Sequence, residues 1–122
     1  MSKLVAFFEI PAVNFERAVG FYESVFGCKL QAMDCETEKM AFFPEESGIC
    51  PGAISYAKGF NPSKDGVMIS LQVADMEKAV AAVVEHGGKI QTPKTKIESE
   101  NRGYFSVFID CEGNRIGLYS DK

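Results

Sequence analysis

At 122 residues the chain has room for one domain with a real core and not for two ordinary ones. Hydrophobic residues make up 46% and charged residues 25%, the balance of a soluble globular protein, and no window approaches the roughly 18 uninterrupted apolar residues of a membrane helix. The formal net charge of −4 argues against a nucleic-acid partner, because phosphate binding requires clustered Lys and Arg that release counterions.

Leu4 to Ile10 reads as a strand, with Leu4, Ala6, Phe8 and Ile10 on one face and Val5, Phe7 and Glu9 on the other. The same N-terminal stretch, with one lysine and an apolar run broken by Glu9, does not read as a secretion signal, so the expected location is cytoplasmic. Asn14 caps a helix whose apolar residues Phe15, Ala18, Val19, Tyr22, Val25 and Phe26 follow the helical period, and Gly27 closes it. Strands follow at Cys28 to Met33, Lys39 to Phe43 and Ala53 to Tyr56, separated by a polar turn and by a loop with two prolines and two glycines. Ala57 to Gly66 is a connector.

The pattern then begins again. Val67, Ile69, Leu71 and Val73 fill one strand face, while Met68, Ser70 and Gln72 fill the other. Asp75 caps a helix carrying Met76, Ala79, Val80, Val83 and Val84, which stops at Gly87-Gly88. A strand from Lys89, a Pro93-containing segment, a polar loop Ser99 to Gly103, a strand Tyr104 to Ile109, the turn Asp110 to Asn114 and a strand Arg115 to Tyr119 complete the chain. Lys89, Lys94 and Lys96 read as the lysines of a solvated edge strand.

Asn14-Phe-Glu-Arg-Ala-Val19 and Asp75-Met-Glu-Lys-Ala-Val80 match at an offset of 61 residues, half the length of the chain. Two long copies are a duplicated half-domain, because solenoids need at least three shorter repeats to bury a continuous core. The expected fold is therefore α+β: a single domain over residues 1–122, with module one about 1–60 and module two about 61–122. Each module is β-α-β-β-β, and together they form an eight-stranded, mostly antiparallel, incomplete barrel around a cleft.

The capped helix with Glu-Arg-Ala-Val-x-Phe-Tyr-x-x-x-Phe-Gly, the paired modules and Asp110-Cys-Glu-Gly-Asn-x-Ile-x-Leu118 before the last strand resemble the vicinal oxygen chelate superfamily. That group includes glyoxalase I, the bleomycin-resistance proteins and the extradiol dioxygenases. The resemblance implies that metal-dependent members hold a divalent ion through His, Glu or Gln on the first and last strands of each module. Carried over, those positions fall on Phe7, Ala53, Met68 and Gly117, none of which supplies a hard donor. Cys111 stands where the family commonly has proline. A homodimer is implied by the resemblance as well.

No cofactor is expected. Cys28, Cys35, Cys50 and Cys111 lack metal-ligand spacing and read as reduced, mostly buried thiols, and the lone histidine, His86, ends a helix where an imidazolium suits the dipole. Glu9 is the sharpest single candidate. A carboxylate in an otherwise apolar cleft would titrate high and act as a general base or meet a cationic ligand; the plainer reading is a rim glutamate, solvated or paired with Arg17 or a lysine. Phe7, Phe42, Tyr56, Tyr104, Phe108 and Tyr119 are the aromatics expected to line or flank the cleft, and Met68 lies on its face, with Ser70, Gln72 and Ser106 as polar fixtures. The expected function is binding or sequestering a modest organic ligand without metal. The alternatives are a lyase, isomerase or dioxygenase using Glu9 or an atypical metal site, and an interaction domain with a filled cleft.

Overall fold

The computed structural model describes residues 4–98 and 103–122. Eight strands and two helices follow in the order β1 (Phe8–Pro11), α1 (Phe15–Phe26), β2 (Gln31–Asp34), β3 (Glu38–Phe42), β4 (Gly52–Ala57), β5 (Ser70–Gln72), α2 (Met76–Glu85), β6 (Lys89–Lys96), β7 (Tyr104–Ile109) and β8 (Arg115–Ser120). The polar loop expected over Ser99 to Gly103 lies, apart from Gly103, outside the described residues.

The repeat seen in the sequence is a repeat of topology. The sheets run β1-β4-β3-β2 and β5-β8-β7-β6, and in each the first strand pairs parallel with the last while the other ladders are antiparallel. The caps repeat too: the Asn14 side chain accepts from Arg17 N at 3.2 Å and Asp75 from Lys78 N at 3.1 Å, each satisfying a first-turn donor that has no partner within the helix. Gly27 closes α1 at φ 62°. In the second module the left-handed residue is Gly87, one place past the His86 cap, while Gly88 is there for closeness: a Cβ on it would lie 2.7 Å from Val83 Cγ1 and 2.9 Å from the Ile109 carbonyl.

The two helices pack on each other and on the inner sides of both sheets, so one core serves both modules. From module one it takes Ile10, Phe15, Ala18, Phe21, Tyr22, Val25, Ala41, Phe43 and Ile54; from module two, Met76, Ala79, Val83, Phe108, Ile116 and Leu118. Phe21 belongs to the buried stripe of α1 although the periodic set omits it, because the stripe must also meet module two, where its ring lies 5.9 Å from that of Phe108. The sheets do not join into a closed barrel; β1 and β5 remain edge strands.

Both first strands are shorter than the sequence predicts. Leu4 and Val5 are exposed and precede β1, and Val67 and Met68 precede β5, since neither stretch has a neighbouring strand to pair with. The alternation of faces holds where pairing exists: Phe8 and Ile10 turn inward, as do Ile69, Leu71 and Val73. β6 forms the outer edge of its sheet, with register shifts around Pro93, which has no N–H for the ladder. Its Lys94 bonds Glu77 at 2.9 Å and stands 4.5 Å above the Tyr104 ring.

Candidate functional site

In-register partners share a face, and that rule places Glu9 with Ala53 and Phe42 on the outer, open side of the first sheet, Ser55 with Met40, and Met40 with Met33. Phe7 belongs to the same side, its ring 6.3 Å from that of Phe42. Glu9 itself is exposed. Its Oε1 accepts from the Ser55 hydroxyl at 2.8 Å, and Ser55 is buried, so one end of the carboxylate is oriented by a fixed donor while the rest meets solvent. The carboxylate expected inside an apolar cleft is thus exposed on a sheet face. Nor does Arg17 pair with it: that guanidinium goes to Glu112.

On the second sheet the open side carries Ser70, Gly117 and Val107 in register, and beside them Gln72, Tyr119 and Phe105. Gly117 lets β5 approach, since a Cβ there would stand 2.5 Å from Ser70 Oγ. Met68 is exposed just before this strand.

Four residues of the expected cleft lie elsewhere. Tyr56 is in register with Lys39 on the inner side of the first sheet, near the start of α1. Tyr104, Ser106 and Phe108 turn to the helix side of the second sheet: Phe108 is fully buried in the core, and Ser106 Oγ, also buried, donates to the Thr92 carbonyl at 2.7 Å. The reason is register. Tyr104 is in register with Ser120 and Ser106 with Leu118, a core residue, so an even-numbered β7 residue cannot share a face with Gly117.

Phe7, Met68, Gly117 and Ala53, the positions carried over from the family, bring no hard side-chain donor, and among the described residues no group of three or more His, Cys, Asp or Glu side chains is placed to hold a metal.

The densest polar cluster joins the modules. Asp110, buried at the end of β7, accepts from Tyr22 Oη at 2.6 Å, Glu112 N at 2.8 Å, Asn114 N at 2.9 Å and Asn114 Nδ2 at 3.1 Å. Burial, and then the Asp110 charge, push the Tyr22 phenol well above its ordinary value. The Glu112 carboxylate, 2% exposed, accepts from Val13 N, Asn14 N and Arg17 Nη2 at the start of α1. Burial pushes the Cys111 thiol to about 11, with Asp110 adding to it, so it stays protonated and is no nucleophile.

For Glu112, burial raises the pKa, but the hydrogen bonds from Arg17, Asn14 and Val13 outweigh it and hold the carboxylate below 4.5. A carboxylate depressed by folding contributes stability that is present above its unfolded value and is lost as pH falls through the folded one. Urea midpoints should therefore fall more steeply below about pH 4.5 in the wild type than in Glu112→Gln, which starts less stable at pH 7. Parallel pH profiles for the two would remove this role.

Two open-faced β-α-β-β-β modules sharing one core, with a carboxylate and hydroxyls set among apolar side chains, define a glyoxalase-like α+β protein. Residues 4–118 match the family described as the Glyoxalase/Bleomycin resistance protein/Dioxygenase superfamily, and the chain belongs to it. A glyoxylase-like domain-containing protein of Didymella fabae is 33% identical over 109 residues, covering 87% of this chain and 84% of that protein. Among solved structures, a mutant of glyoxalase I from Zea mays superposes with a TM-score of 0.75 at 21% identity, over 95% of this chain and 46% of that one, so the chain spans about half the maize enzyme. A glyoxalase/bleomycin resistance protein from Albidiferax ferrireducens matches end to end, with a TM-score of 0.72, 14% identity and coverage of 97% and 98%. At these identities the structural likeness is one of fold.

Proposed function

We propose that this chain is a small-molecule-binding member of the superfamily that works without the family's divalent ion. It holds a modest organic ligand, apolar or cationic, against the open face of the first sheet, in the cytoplasm, and a second copy of the chain closes that face. The observation that carries the reading is the Glu9 carboxylate, oriented by Ser55 on a sheet face that also carries Phe7, Phe42, Met40 and, at its far edge, Met33. An oriented charge on an apolar surface is how ligand sites combine affinity with orientation. Phe7 at 37% and Met33 at 55% exposure support a covering partner, since large apolar side chains gathered on one sheet face are poorly left to water. Ser70, Gln72, Tyr119 and Met68 on the open side of the second sheet supply the facing surface.

Calorimetric titration with a panel of apolar and cationic organic molecules should find a binder tighter than about 1 mM, weakened about tenfold or more in Glu9→Gln. No such binder, or equal affinity in both proteins, overturns the reading. The catalytic alternative, a glyoxalase-like lyase or isomerase or a dioxygenase, rests on likeness of fold. Stoichiometric zinc, nickel, manganese or iron in protein purified without chelator or affinity tag would put it first.

A further inference from the structure

A second concavity opens between the modules, on the opposite side of the first sheet from Glu9. It measures about 460 Å³, within the roughly 300–1,000 Å³ range of small-molecule sites. Its half-buried or buried lining is apolar: Phe8 from β1, Phe26 from the last turn of α1, Phe43 just beyond β3, and Leu71 from β5. These side chains are held in place by the core. The Phe8 and Phe43 rings are 5.6 Å apart, and Phe26 stacks on Tyr22 at 6.0 Å with an interplanar angle of 1°.

The rim is polar and one-signed. Glu45 and Glu46 are exposed on it, and among the described residues no Lys or Arg lines the groove and neither glutamate has an ion-pair partner. Glu46 is fixed by reciprocal backbone bonds with Ile49, at 2.7 and 3.1 Å, across a tight turn whose central residues Ser47 and Gly48 both have positive φ. On the other side lies the free edge of β5. Gly117 N donates to Ile69 O and Val73 N to Tyr119 O, so the odd-numbered residues face β8. The backbone groups of Ser70 and Gln72 therefore point off that edge, where the groove lies, with carbonyls able to accept. Cys28 also lines the groove; burial, then the charge of Glu23, raise its thiol, leaving it a neutral wall.

We propose that this groove is a binding site for a small amphiphilic organic cation. Its hydrocarbon or aromatic body lies on Phe8, Phe26, Phe43 and Leu71, and its ammonium sits between the Glu45 and Glu46 carboxylates and the carbonyls of the β5 edge. A neutral apolar guest would use the floor and leave two adjacent carboxylates uncompensated. An anion would meet them directly. A cation offsets both charges and gains from the π faces as well. Strand alternation separates this site from the Glu9 face, since Phe8 turns inward where Phe7 and Glu9 turn out.

The test uses the full chain and 4-phenylbutylamine, with 4-phenylbutyric acid and 4-phenylbutanol as charge-changed analogues. The amine should bind, shift the backbone amide resonances of Phe8, Phe43 and Leu71, and weaken as salt is raised. Its affinity should fall about tenfold or more in Glu45→Gln/Glu46→Gln, whose exposed positions leave the fold intact, and the acid should bind at least about tenfold more weakly than the amine. Failure of the amine to bind, equal affinity for amine and acid, unchanged affinity in the double variant, or shifts confined to Phe7 and Glu9 would each overturn the proposal. The last of these outcomes would leave the Glu9-face reading standing, so the two fail separately.

Discussion

Asp110→Ala should lower the stability of the protein by about 3–5 kcal/mol, the cost typical of deleting one partner from a buried charged network. The carboxylate accepts four hydrogen bonds, and its removal strands the Tyr22 hydroxyl and the Asn114 amide in places water does not reach. The loss is also one of connection. Tyr22 belongs to α1, and Asn114 Nδ2 donates at 2.8 Å to the carbonyl of Pro11 at the end of β1 while its Oδ1 accepts from Ser63 N at 3.0 Å. One turn of module two thereby holds a strand end, a helix and the connector. Tyr22→Phe, which removes a single donor to a charged acceptor, should cost about 1.5–3 kcal/mol. The two changes should be far from additive, because both break the same 2.6 Å bond. Urea unfolding followed by circular dichroism measures all of this. A single variant Asp110→Ala within about 0.5 kcal/mol of wild type would mean that the network contributes nothing net.

The sequence carries the modular plan because that plan is local. A cap, a 3.6-residue period and a glycine stop occur twice at an offset of 61, and each signal concerns residues within a few turns of one another. The same locality explains the correct alternation on β1 and β5, where a single run of side chains decides which face is apolar. What the sequence does not carry is register between strands. Phe108 and Tyr119 look alike as aromatic strand residues, yet Phe108 is in register with Ile116 and faces the helices, while Tyr119 is in register with Phe105 and Gln72 and faces outward. Ser55 was recoverable: it lies two places beyond Ala53, a position that the resemblance carries over from the family's metal site, and strand alternation puts the two on one face. Met33 and Met40 were not, since their place depends on the β2–β3 register. The groove lined by Glu45, Glu46, Phe26 and Leu71 was beyond reach for a different reason, because it exists only where one module's helix end and loop meet the other module's edge strand. Glu9 shows the opposite case, where the apolar strand around it reads as enclosing and the side chain itself is exposed.

Phe108→Ala and Phe7→Ala should separate core from site within one set of aromatics that the sequence places together. Phe108 is fully buried, touches Phe21 across the module boundary and sits on the inner side of the second sheet, so truncation leaves a cavity that neighbouring rigid strands cannot collapse. A loss of about 3–5 kcal/mol is expected. Phe7 is 37% exposed, precedes β1 and has Phe42 as its aromatic neighbour on the open face; removing it should cost about 1 kcal/mol or less. Binding should respond in reverse. Under conditions where both variants are folded, Phe7→Ala should weaken a ligand held at the Glu9 face, and Phe108→Ala should leave its affinity within about twofold. Unfolding curves and calorimetric titrations on the same two proteins decide the matter. If Phe108→Ala proved as stable as wild type while abolishing binding, Phe108 would belong to a cleft after all, and the register that turns it toward α1 would have to give way.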